Sequence, residues 1–550
     1  MSAPDATRPA RGEMRKVIVG AALGTMFEWY DFFLYGSLAG LIAEHFFSAV
    51  NPTTGFILAL ATFAVGFIVR PLGALVFGRM GDLHGRKITF LTTLVLMGLS
   101  TFLVGLLPGY AAIGIAAPLM LVTLRIAQGL AIGGEFGGAI VYVAEHAPAG
   151  RRGFHTSFIP AMAIGGLLLS LLVIMATRAS MTPAEFAARG WRLPFLLSAI
   201  LLGISLWIRL RLQESPVFRA MQERRALSRA PLSETFLDRG NRRLVLIALF
   251  GCVMGQAVLF YTSTFYAYHF LERIARVDAA TVTLLSGIAL AVCAPVLVFF
   301  GWVSDRWRRK PLMLASFGLA VVLFFPLFGA LLSAANPGLA AARESAPVTV
   351  RAREGDCSLQ LDFMGRRRFD ERSCDIVKSL LARAGVSHAT ETLPGSGPAQ
   401  LAIGGQLLVA PEPAALDREA LAAAVAEFRA HAEAALTAAG YRPTAEGAAI
   451  NRPAIVAILI ALLVLACMGT GAYTPMLVEL FPARIRYSGL SFAQNFGNGW
   501  FGGILPAVAF AIVAATGSVF AGLWYPVAIT AVCFLVGAAL LPETRGRPID

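Results

Sequence analysis

The chain holds 550 residues, 57% of them hydrophobic and 14% charged, at a mean hydropathy of +0.69 and a formal net charge of +13. A soluble chain carries roughly 25% charged residues, so this composition excludes a string of soluble domains, a disordered polymer and a collagen, and requires long apolar stretches in a bilayer. The positive excess means either a nucleic-acid surface or basic loops held on one face of a membrane, and its distribution decides which.

After a tail over 1–16, six runs of about 20 apolar residues fall near 17–42, 54–78, 88–107, 112–144, 157–177 and 193–208. The first is too long for a cleaved signal peptide and lacks a suitably placed Ala-x-Ala site. A polar linker (209–243) follows. Three runs near 244–270, 280–303 and 311–334 come next, then three near 453–477, 487–515 and 519–541, with a tail over 542–550. The expectation is an all-α polytopic membrane protein with twelve transmembrane helices in two six-helix halves, 17–208 and, split in sequence, 244–335 with 453–541.

Basic residues cluster in alternate loops: Arg79, Arg86 and Lys87; Arg151 and Arg152; Arg306, Arg308, Arg309 and Lys310; Arg484 and Arg486; and eight arginines between 211 and 243. The intervening loops 44–54, 108–118 and 515–519 contain no Lys or Arg. By the positive-inside rule both termini face the cytoplasm. The basic excess is topological, and no nucleic-acid partner is expected.

Between spans nine and ten, residues 336–452 contain no segment able to cross, and their thirteen Lys and Arg nearly balance fourteen Asp and Glu. By the span count this insert lies on the periplasmic side. Segments 357–363 and 400–409 read as strands, and Ser373–Ala384 and Asp417–Ala439 as helices, giving a small α+β domain. Cys252, Cys293, Cys467 and Cys533 lie in apolar runs and read as core residues. Cys357 and Cys374 fall in an oxidising compartment and are expected to pair, the alternative being two buried thiols.

An internal repeat relates the halves. Gly78, Asp82, Arg86 and Lys87 recur as Gly301, Asp305, Arg309 and Lys310, 223 residues on (301 against 78). Glu145, Pro148 and Arg152 recur as Glu479, Pro482 and Arg486, 334 residues on (479 against 145), so the shift of 111 between these spacings measures the insert. Two such halves place a substrate site between them near the midplane.

The loop Gly78-x3-Asp82-x2-Gly85-Arg86-Lys87 with its degenerate copy at 301–310 resembles the signature of the major facilitator superfamily. Further segments resemble its metabolite:proton symporter family: Glu28-Trp29-Tyr30-Asp31-Phe32, Arg70-Pro71-Leu72-Gly73, Arg125-x2-Gln128-Gly129-x3-Gly133-Gly134-Glu135, and Glu479-x-Phe481-Pro482-x-Arg484-x-Arg486-Tyr487. The match covers nearly all the chain except the insert and the first dozen residues. Members take up shikimate, α-ketoglutarate, citrate, proline and betaines, so the resemblance implies proton-coupled import of a small polar metabolite by a chain acting as a monomer.

Charges inside a bilayer are functional candidates. Glu28 and Asp31 lie three apart on one helix face and repel when both are ionised, which suits one of them to proton exchange; Glu135 is a third proton-coupling candidate. The alternative makes these acids structural partners of Arg70 and Arg125. Arg125 is placed to take a substrate carboxylate, with Gln128, Tyr30, Gln256, Tyr266 and Tyr473 as neutral hydrogen-bonding candidates and Tyr261 beside them. By resemblance, Gly78, Asp82, Gly85, Arg86, Lys87, Glu145 and Arg152, with Asp305, Arg309, Glu479 and Arg486, form an inner gate that pairs and parts as the carrier alternates. No metal-ligand cluster, phosphate loop or nucleophile elbow is legible, so neither an enzyme nor a cofactor is expected. The favoured substrate is a mono- or dicarboxylate. Rival readings are a proline/betaine-type symporter or an exporter on the same fold, and a membrane sensor that uses the insert.

Overall fold

The computed structural model describes residues 11–549 apart from 49–51, 149, 212–213, 225–227, 229, 358–370, 385, 394–396, 443–444, 446 and 448. Eleven helices among the described residues are long and apolar enough to cross a bilayer. The helix Arg11–Ser37 adds a twelfth crossing, packed along spans 5 and 6. Span 1 is Arg11–Ser37, span 2 Pro52–Leu83, span 3 Arg86–Leu106, span 4 Ala116–His146, span 5 Arg152–Ala179 and span 6 Arg192–Leu210. The second half has span 7 at Arg239–Ile274, span 8 at Ala279–Arg306, span 9 at Arg309–Ala335, span 10 at Arg452–Leu480, span 11 at Ala483–Val513 and span 12 at Ala521–Leu540. Large apolar side chains such as Leu72, Leu172, Ile200, Val322 and Leu535 are exposed, as a lipid-facing surface requires.

Without a hydrophobic drive between helices in lipid, small residues decide where they meet. Spans 2 and 4 pack closely through Gly73, Gly129 and Gly133; a methyl added at Gly133 would strike the Arg70 carbonyl. Gly85, between spans 2 and 3, has φ +108°, a backbone conformation that side chains disfavour. The linker contains short helices at Pro216–Glu223 and Pro231–Phe236. Arg209, read from sequence as its first residue, instead lies in the last turn of span 6 and is 1% exposed.

The insert is α+β. Strands β1 (Val348–Ala352), β2 (Ala389–Thr392), β3 (Gln400–Ile403) and β4 (Gln406–Val409) form one sheet in the order β2-β1-β3-β4, parallel only between β1 and β2. The helix Ser373–Ala384 makes the crossover, burying Val377 and Leu381 in the cluster that holds Val350 and Leu401. Helix Arg418–Ala438 starts where the Asp417 carboxylate accepts the N–H groups of Glu419 and Ala420. The strand expected over 400–409 is a hairpin, because Gly404 and Gly405 both take positive φ. β1 and β2 were not expected; all four residues of β2 are exposed, so it has no apolar alternation to read. Of the strand expected over 357–363, residues 358–363 lie outside the described residues. Cys357 and Cys374 are joined in a disulfide.

The insert docks on the second half. The Arg276 guanidinium, on the span 7–8 turn, donates to the carbonyls of Tyr441, Arg442 and Ala384. The His388 N–H donates to the Gly517 carbonyl at 2.8 Å, and the Val519 N–H to the Ser387 hydroxyl at 3.1 Å. The Asn451 N–H meets the Ala334 carbonyl at 2.9 Å, so the chain leaves span 9 and enters span 10 at one place.

Candidate functional site

A cavity of about 820 Å³, open mouth included, lies between the halves. Its first-half wall is largely apolar: Trp29, Phe33, Ile132, Phe136 and Ile164, broken by one cation, Arg70. The second-half wall sets amides and hydroxyls among Phe260, Phe265, Leu290 and Leu297: Gln256, Tyr261 and Thr264 from span 7, Thr470 and Tyr473 from span 10, and Gln494, Asn495 and Asn498 from span 11. Spans 7 and 11 carry π-type turns beside these residues, at Thr262–Tyr266 and Gly497–Gly502; such turns are frequent at functional sites.

The polar wall is partly self-satisfied. Gln256 Nε2 donates to Thr470 Oγ1 at 2.6 Å, Gln494 Nε2 to the Tyr473 hydroxyl at 3.2 Å, and Asn495 Nδ2 to the Gly133 carbonyl at 2.7 Å. The Oε1 atoms of Gln256 and Gln494 remain buried acceptors without a hydrogen bond. Arg70, 2% exposed, lies over the rings of Phe67 and Phe32 at 4.4 and 4.5 Å and faces Tyr261, yet its Nε and Nη2 have no hydrogen-bond acceptor. The cavity thus offers one unfilled cationic donor and two unfilled neutral acceptors.

Of the residues proposed from sequence to bind substrate, Gln256 and Tyr473 line this cavity and the others do not. Arg125 is boxed by Tyr35, Phe63 and Phe32 and donates to Gln128 at 2.5 Å; Gln128 in turn donates to Thr101 at 2.8 Å. The Tyr30 hydroxyl donates to the Pro194 carbonyl, and Tyr266 is packed against Phe328 and Phe510. Helical rotation accounts for the difference in the first half: Tyr30 and Arg125 contact other spans of that half, whereas Trp29 and Ile132 on the same two helices line the cavity.

The intramembrane acids are also paired differently from expectation. Glu28 and Glu135 both meet Arg209, at 3.1 and 2.7 Å, and Glu135 accepts from Thr93 at 2.5 Å. Glu28 lies within hydrogen-bonding reach of Glu135, whereas Asp31 accepts from Ser198 at 2.5 Å and neighbours Thr101. Glu28 and Glu135 thus share Arg209 as their cation, whereas Asp31 reaches Arg125 only through Thr101 and Gln128. The carboxyl pair in contact is Glu28 with Glu135, not Glu28 with Asp31.

At one end of the molecule the repeat becomes a pseudo-symmetric ion network. Asp82 accepts the N–H groups of Tyr487 and Ser488 at 3.3 and 2.9 Å, capping the helix that starts at Arg486. Asp305 accepts those of Gly153 and Phe154, both at 2.7 Å. Glu145 pairs with Arg86 at 3.6 Å and Arg486 at 2.9 Å; Glu479 pairs with Arg152 at 3.3 Å and Arg309 at 2.9 Å. Each of the four acids reaches the opposite half, Asp82 and Asp305 through backbone N–H groups, Glu145 through Arg486 and Glu479 through Arg152, so the halves are tied together at this end. Glu214 and Glu543 occupy equivalent places in the two halves, accepting the N–H groups of Arg86 with Lys87 and of Arg309 with Lys310. Gly78 packs against Ser488.

A family model described as sugar (and other) transporter matches residues 17–241. The chain is 36% identical over 320 residues to an alpha-ketoglutarate permease of Escherichia coli K12, covering 58% of this chain and 72% of that protein. It is 36% identical over 336 residues to a shikimate transporter of the same organism, covering 59% and 75%. With a proline/betaine transporter of that organism it shares 34% over 327 residues, covering 58% and 65%. The fold matches a solved proton:xylose symporter, XylE, with a TM-score of 0.60 over 98% of both chains at 17% identity. Twelve crossings in two related halves around a shared cavity, in a chain with these relatives, define a multi-pass membrane transporter. The chain belongs to the metabolite:proton symporter family of the major facilitator superfamily.

Proposed function

We propose that the protein imports a small hydroxylated carboxylate together with protons by alternating access. The observation that carries this reading is Arg70, a buried guanidinium on the cavity wall with two nitrogens lacking an acceptor. A guanidinium takes a carboxylate with two parallel bonds, and the free Oε1 atoms of Gln256 and Gln494 across the cavity are acceptors for substrate hydroxyls. The apolar first-half wall covers a hydrocarbon face. The relatives include transporters named for alpha-ketoglutarate, for shikimate and for proline and betaine; the cavity's single cation, with no acid on its walls among the described residues, favours an acid over a zwitterion.

The basic loops orient the paired network toward the cytoplasm, which makes it the inner gate, closed in this structure, and puts the insert in the periplasm with both termini cytoplasmic. The transporter acts as a monomer. Uptake by a transport-deficient strain expressing the chain, screened over shikimate, α-ketoglutarate and glycine betaine at two external pH values, tests the proposal. Faster uptake of an acid at lower external pH, lost in Arg70→Gln, is expected; uptake of betaine alone, or of an acid undiminished in Arg70→Gln, refutes it.

A further inference from the structure

Outside the paired network and the insert, the buried ionisable acids and bases among the described residues are Glu28, Asp31, Glu135, Arg70, Arg125 and Arg209. All six belong to the first half, and they form three groups. Glu28 and Glu135 share Arg209, a cluster carrying one net negative charge when both acids are ionised and none once a proton is held between them. Asp31 and Arg125, joined through the neutral Thr101 and Gln128, add one negative and one positive charge and leave the sum unchanged. Arg70 stands alone on the cavity wall with one positive charge.

We propose that the Glu28–Arg209–Glu135 cluster and Arg70 are opposite arms of one buried charge balance, coupling one proton to one singly charged carboxylate and making its transport electroneutral. This rests on the carboxylate-transport reading above. With the cavity empty and the cluster deprotonated, its negative charge offsets that of Arg70. A proton alone leaves Arg70 uncompensated. A carboxylate alone, bound to Arg70, leaves the cluster uncompensated. Proton and carboxylate together restore neutrality. An unpaired charge sealed in this interior is strongly disfavoured, and charges interact over long distances where water is excluded, so the empty and the doubly loaded forms are the two that reorient.

The geometry supplies the separation this requires. Trp29, beside Glu28 in span 1, lines the cavity, and Arg70 lies 5.5 Å from its ring. Phe136, next to Glu135 in span 4, lines the cavity as well, so each acid of the cluster is the sequence neighbour of a cavity-lining aromatic residue while itself pairing with Arg209. The groups around the cluster are Asp31 of span 1, Phe90 and Thr93 of span 3, Tyr142 of span 4 and Tyr487 of span 11. None of these adds a second cation to the cluster.

The test uses the full-length protein in proteoliposomes, with shikimate, α-ketoglutarate and glycine betaine as probes. A gradient of one pH unit, alkaline inside, is expected to accumulate shikimate about tenfold, whereas an inside-negative potassium diffusion potential of roughly 60 mV at equal pH changes its accumulation less than twofold. Accumulation of shikimate driven by the potential, or none driven by the pH gradient, overturns the inference while leaving carboxylate transport standing. Failure to take up either acid under any gradient sinks both readings. In Glu135→Gln and Glu28→Gln, the ratio of gradient-driven uptake to equal-pH exchange should fall at least tenfold; an unchanged ratio in both also overturns the inference.

Discussion

Arg209 shows how a single side chain can organise a membrane interior. It is 1% exposed and ion-paired to two acids from two other spans, so Arg209→Leu strands both carboxylates in an apolar setting. Breaking a buried pair in this way costs about 3–5 kcal/mol; thermal unfolding in detergent should show a lower midpoint, partly restored by adding Glu28→Gln and Glu135→Gln. Asp82 works through backbone. Its carboxylate accepts two N–H groups from the opposite half, and bonds to a charged group contribute about 1.5–3 kcal/mol. Asp82→Asn should therefore loosen the paired network by tenfold or more, impairing uptake and raising the labelling, from the network side, of a cysteine placed at Ser491. Unchanged labelling and full uptake would count against the gate. Asp82 was legible because the same residue recurs 223 positions on (305 against 82). Arg209 was not, because a basic residue at the end of an apolar run reads as a snorkelling flank until the acids facing it are known.

At the scale of elements, the insert is held by its own disulfide and by a joint with the span 11–12 turn. The Cys357–Cys374 bridge spans 17 residues, and losing a bridge that closes a loop of this size removes about 3 kcal/mol. A Cys357→Ser, Cys374→Ser protein should show faster proteolysis within 336–452, with the membrane helices still protected. At the joint, burial pushes the His388 imidazole down to about 4, with the backbone carbonyl of Val386 opposing and Lys378 reinforcing that shift. An unfolded histidine titrates near pH ~6.5. The folded value is the lower one, so the neutral ring's contribution is complete above about pH 6.5 and is lost as pH falls through about 4. Protection of the Gly517–Val519 amides against hydrogen exchange, measured relative to the intrinsic rate at each pH, should fall between pH 7 and 4.5, and His388→Phe should remove the dependence. The insert's helices were readable from Ala, Leu and Glu content. Strands β3 and β4 fell within one segment read as extended, 400–409, whereas β1 and β2 were not readable, since their pairing depends on partners that no four-residue window contains.

For the molecule as a whole, the insert rides on the second half and its ends meet where Asn451 bonds Ala334. Residues 336–451 can thus be replaced by a short Gly-Ser linker without stretching spans 9 and 10 apart. If the protein is a carrier, the shortened chain should keep at least half of the wild-type uptake per molecule in the membrane; loss of a ligand response with uptake intact would instead favour the sensor reading. The halves themselves meet through the ion network at one end and through rings such as Phe33 with Phe265 and Phe67 with Tyr261 at cavity level. Breaking the network leaves between the halves these ring contacts and neutral hydrogen bonds such as that from Asn495 to the Gly133 carbonyl.

Sequence alone determined the membrane class, the twelve crossings, the two related halves, the size of the insert and the residues of the charged network. Each of these is written in quantities that a linear chain carries: hydropathy over twenty residues, charge by loop, and spacing between recurring motifs. Only the tertiary structure decided which polar side chains face the cavity and which charges pair. Those outcomes depend on the rotation of each helix about its own axis and on neighbours far away in sequence, such as Arg209 with Glu28 and Tyr487 with Asp82. One helical residue turns the side chain by about 100°, enough to put Trp29 on the cavity wall and its neighbour Glu28 against Arg209.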